Sequence, residues 1–122
     1  MTLRLAAATL AALVFWPAAA LAHAVLVKSV PAQRATLVEA PPRVELWFNE
    51  RLERAYSRAS VTNEAGEQVD RRDVAVSAED PRRLSLSLPP LKPGRYTISF
   101  RVLSVDGHVV ESRLSFTVKD RR

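Results

Sequence analysis

Cysteine is absent from the 122 residues, and methionine occurs only once, as Met1. The chain therefore has no disulfide brace and no nucleophilic thiol, and beyond its first residue it has no soft sulfur ligand for a metal. Histidine is almost as scarce, with only His23 and His108. Amphipathic helical periodicity is hard to find anywhere, and internal repeats, low-complexity tracts and linkers are missing. Nucleic-acid binding is disfavoured despite a formal charge of +5: Arg and Glu alternate through residues 49–54, with no aromatic stacking set among them.

The single long apolar run lies at the start. Arg4 precedes an uncharged apolar stretch over residues 5–16, and Ala20-Leu21-Ala22 supplies the small-x-small pattern of signal-peptidase cleavage. A retained anchor is the weaker reading, because the run is barely long enough to span a bilayer and Pro17 breaks it. Residues 1–22 are thus expected to be a cleaved secretory signal. Residues 23–122 form one domain of 100 residues, with 17 basic and 13 acidic side chains, formally +4. Without cysteine, the core of this domain must hold the fold alone.

Alternation marks the mature domain. Val44, Leu46 and Phe48 share one face of their segment, and Leu84, Leu86 and Leu88 share another. Tyr96, Ile98, Phe100 and Val102 form a third set; Val110, Leu114, Phe116 and Val118 form a fourth, interrupted by Ser112. Prolines and Asn/Gly turn signals separate these runs. Strands are predicted near 24–30, 43–49, 58–63, 73–77, 83–88, 94–104 and 109–118, with a possible helical turn over 55–58. About seven short strands in about 100 residues predict an all-β, immunoglobulin-like Greek-key sandwich. Trp47 points away from the Val44, Leu46 and Phe48 face, toward either a metal site or the outer sheet surface.

The two histidines fall at telling places. Cleavage after Ala22 would make His23 the amino terminus, where one residue offers a free α-amine and an imidazole to the same ion. Asp106 and His108 stand two apart, with Gly107 between them able to bend the chain. Three nitrogens and one carboxylate oxygen suit a tetragonal copper(II) ion. Zinc is the competitor, but its structural sites favour paired thiolates, and copper(I) wants sulfur that this chain lacks.

Several segments together bear a resemblance. His23, Ser29-Val30-Pro31-Ala32, the run from Pro42 through Asn49-Glu50, Leu91-Lys92-Pro93-Gly94-Arg95-Tyr96, the run from Arg101 through Asp106-Gly107-His108, and Phe116-Thr117-Val118 resemble the CopC family over essentially the whole mature chain. The resemblance implies a β-sandwich copper carrier of the periplasm, with His23, Asp106 and His108 as ligands of one copper(II). It also implies a carboxylate near the metal at Glu50, as an axial ligand or as the group orienting His23. An inner-membrane partner of the CopD type goes with that family. This chain departs from the family twice: it lacks the methionine-rich loop of members with a copper(I) site, and Val109 stands where many members have proline.

The expected activity is therefore copper(II) carriage or buffering in copper tolerance, by a monomer without catalytic turnover. One alternative is a small oxidative enzyme of the histidine-brace type, disfavoured because Asp106 would fill a position that oxygen chemistry needs open. The other is a structural sandwich domain with no metal.

Overall fold

The structure, a computed structural model, describes residues 25–120. Eight strands lie in this range: β1 Leu26–Val30, β2 Ala35–Leu37, β3 Arg43–Phe48, β4 Arg58–Thr62, β5 Ala75–Val76, β6 Arg83–Ser87, β7 Gly94–Leu103 and β8 Val109–Val118. They form two four-stranded sheets, ordered β1-β3-β6-β5 and β2-β8-β7-β4. Every pairing is antiparallel except β2 with β8. With β2 set aside, the orders reproduce the ABED and CFG sheets of an immunoglobulin constant-type sandwich.

The alternating faces read from the sequence are the inner faces of these sheets. Val44, Leu46 and Phe48 of β3 and Leu84 and Leu86 of β6 meet Ile98, Phe100 and Val102 of β7 and Phe116 and Val118 of β8, all at most 4% exposed. Side chains that point to the same face every second residue leave no other way to bury both sheets. Phe48 and Phe100 meet edge to face across the layer, with centroids 5.4 Å apart. Tyr96 stacks on Phe116, also at 5.4 Å, and its hydroxyl donates to the Lys92 carbonyl at 2.5 Å. This tie from the start of β7 back to the preceding loop is the arrangement of a tyrosine corner.

The structure revises the predicted elements in three places. The strand expected over 73–77 shrinks to Ala75–Val76, because Asp73 caps the neighbouring strand through Ser87 instead of joining the ladder. The possible helical turn over 55–58 is a 3-10 turn at Arg54–Tyr56. The short strand β2 was not foreseen: three residues are too few to show alternation. It is held at both ends by backbone bonds, Arg34 N to Ser115 O and Lys119 N to Leu37 O, each 2.7 Å. Trp47 lies on the outer surface of its sheet, half-buried, with Lys28 Nζ 4.8 Å from its ring centroid.

Candidate metal centre

One end of the sandwich gathers the candidate residues that the structure describes. β3 ends there at Phe48, and the following Asn49 holds the start of the described chain: Asn49 Oδ1 accepts from Val25 N at 2.6 Å, and Asn49 N donates to Val25 O at 3.1 Å. Glu50 comes next, half-buried. Arg51 O then accepts from Val105 N at 2.9 Å, and Leu52 bridges Ser104, so the stretch after β3 runs beside the β7–β8 hairpin.

That hairpin carries Asp106 and His108. Its loop is closed by Gly107 N to Ser104 O and Ser104 N to His108 O, both 2.9 Å. Gly107 sits at φ +92°, where a side chain would be strained. Asp106 and His108 thus meet through a tight turn, with the bend that Gly107 allows.

The pair is organised by a residue that the sequence reading missed. Ser104 is 1% exposed; its hydroxyl donates to Asp106 Oδ1 and accepts from His108 N at 3.2 Å. Asp106 Oδ1 also lies 3.0 Å from His108 Nδ1. The Ser104 hydroxyl first, and His108 second, hold the Asp106 carboxyl below the usual carboxylate range, so it is an anion at neutral pH. The signal for Ser104 was the Ser-x-Asp-x-His spacing, since hydroxyl and carboxylate side chains two residues apart bond within turns.

This geometry offers a metal one anionic oxygen donor and one imidazole side by side. The two nearest donor atoms of the pair are His108 Nδ1 and Asp106 Oδ1, 3.0 Å apart. Both side chains are about one-third exposed, 34% for Asp106 and 35% for His108, so an ion can reach them. Among the described residues, no group of three or more His, Cys, Asp or Glu side chains could hold a metal ion. Glu50 lies at this same end but outside any such group. His23 and the predicted cleavage site fall outside the described residues.

Comparison with known proteins gives one consistent result. A family model described as "CopC domain" matches residues 26–119. Protein YobA of Escherichia coli K12 is 35% identical over 99 residues, covering 80% of either chain. Copper resistance protein C of Pseudomonas syringae pv. tomato is 32% identical over 108 residues, covering 84% of this chain and 85% of its own. The crystal structure of CopC from Methylosinus trichosporium OB3b superposes with a TM-score of 0.72 at 36% identity, covering 82% of this chain and 97% of the other. With nearly all of the sandwich matched in sequence and in shape, the chain belongs to the CopC family.

Proposed function

We propose that the mature chain is a copper-binding protein of copper resistance that carries or buffers one copper(II) ion in the periplasm. The observation that carries this is the turn at 104–108. It sets a carboxylate, ionised at neutral pH, against an imidazole at 3.0 Å, at the end of the sandwich where Val25 is pinned two residues after His23. The relatives named copper resistance protein C support copper as the cargo.

In this reading, removal of residues 1–22 frees the His23 amine. Amine and imidazole of His23 join Asp106 and His108 as ligands, with Glu50 placed to orient His23 or to approach the ion axially. Three nitrogens and one oxygen favour copper(II), and the lack of sulfur beyond Met1 disfavours copper(I). No helix of the described residues is long and apolar enough to cross a membrane, so movement of copper across a bilayer would fall to a partner, of the kind the CopD-type proteins represent. The domain acts as a monomer and turns nothing over.

The test is a titration of correctly processed protein with copper(II) against a competing chelator, read by paramagnetic resonance. One equivalent should bind with a tetragonal, nitrogen-rich signal. His108→Ala and Asp106→Ala should each weaken binding by at least about tenfold, about 1.4 kcal/mol. Wild-type titration curves from both variants would sink the ligand assignment.

A further inference from the structure

A second candidate site lies on the outer face of the β4-β7-β8 sheet. On these strands the inward residues fill the core, and the outward ones stand in rungs fixed by the register. Arg58, Arg101 and Glu111 make one rung, and Ser60, Ser99 and Arg113 make the next. Arg72, from the loop after β4, closes the side. Together they border a groove of about 810 Å³ whose floor is low because Ser60 and Ser99 are small.

The charges in this groove do not balance. Four guanidinium groups face one carboxylate, and among the described residues the one ion pair in the groove is a loose one, Arg101 Nε to Glu111 Oε2 at 3.9 Å between well-exposed side chains. Arg58 and Arg101 are direct cross-strand partners, and like charges placed directly opposite destabilise a sheet. A bound anion would turn that cost into binding free energy, and guanidinium groups pair with carboxylates in two-pronged fashion.

We propose that this groove docks an extended acidic segment of a protein partner. Three observations favour a peptide over an anionic membrane. The groove is concave, with hydroxyl groups at its base. Glu111 within it would repel a uniformly anionic plane, but can be matched by one neutral position in a peptide. Rungs two residues apart along a strand, roughly 6.6 Å, equal the spacing of alternate side chains in an extended chain. One end of the groove lies near the 104–108 turn in the chain: Glu111, on β8, is three residues beyond His108, roughly 10 Å of extended chain. A segment seated there would hold its parent protein beside the turn. The groove itself is independent of the metal reading.

The experiment measures fluorescence anisotropy of a labelled peptide of alternating Glu and Ser, added to full-length processed protein without copper, at about 50 mM salt so that screening is modest. Saturable binding is expected, weakened about tenfold by the double variant Arg58→Gln, Arg113→Gln, and by less than about twofold by the charge-matched control Lys28→Gln, Arg82→Gln on the other side of the molecule. Thermal melts of the groove variant should match or exceed the wild type, because the repulsion at Arg58 is relieved. Equal losses in the two double variants would reduce the effect to net charge and overturn the proposal. So would absence of peptide binding, or arginine-dependent sedimentation with phosphatidylglycerol vesicles when the peptide fails to bind.

Discussion

At the scale of single residues, the proposed chemistry rests on very few atoms. The proposed use of the His23 amine separates this site from an ordinary two-histidine site, since an internal residue would present an amide nitrogen whose lone pair is delocalised. A protein carrying one Gly before His23 should therefore bind copper(II) at least about tenfold more weakly than authentic mature protein, measured against the same chelator. Its copper-free unfolding should barely change, because a terminal residue adds few core contacts. The pair at Asp106 and His108 was legible in the sequence, because a lone Asp-Gly-His in a chain with two histidines stands out. Ser104 was not. The Ser-x-Asp-x-His spacing hints at its bond to Asp106, but its importance depends on burial, and nothing in the local sequence says that the residue will be 1% exposed beneath a turn.

At the scale of elements, legibility followed length. The ten-residue strands β7 and β8 repeat their alternation enough to be read almost to the residue, whereas β2 and β5, at three and two residues, are defined by partners that only the fold supplies. Two ties between elements should be measurable. Tyr96→Phe removes the hydroxyl that reaches Lys92 O, and should cost about 0.5–1.5 kcal/mol in chemical denaturation while copper binding stays unchanged. Asp73 accepts from Ser87 N at 2.7 Å and from Ser87 Oγ at 2.5 Å, and these bonds hold its carboxyl below the usual range. A depressed native pKa means that the stabilisation is fully present above the unfolded value of about 3.9 and is lost as pH falls through the native one. Asp73→Ala should thus be less stable than wild type near neutrality, with the gap closing below about pH 4. A gap that persists into strong acid would mean that the loss comes from packing and not from the carboxylate.

At the scale of the whole molecule, a sandwich without disulfides rests on one shared core. Phe116 touches both ends of the stability argument: it is 1% exposed, stacks on Tyr96, and pairs in register with Ala35 of β2. Phe116→Ala should cost about 3–5 kcal/mol, a large share of the total for a domain of this size. Copper should work in the opposite direction. At a free concentration of about 100 times its dissociation constant, an ion that binds only the native state adds about 2.7 kcal/mol, so the melting temperature of wild type should rise with copper and that of His108→Ala should rise less. The fold class was readable at this scale because four alternating faces in one short chain admit few other packings. The parallel β2–β8 pairing was not, since it joins segments about eighty positions apart with no local signal. The Asn49 hold on Val25 has one more consequence, on the proposed ligand set. Two residues of chain reach at most about 7 Å, so in the proposed site a terminus tethered at Val25 would search a small volume, and its amine would meet the metal at a high effective concentration. Asn49→Ala should then raise the copper off-rate although no ligand has been altered, because releasing the anchor enlarges that volume and dilutes the donor within it.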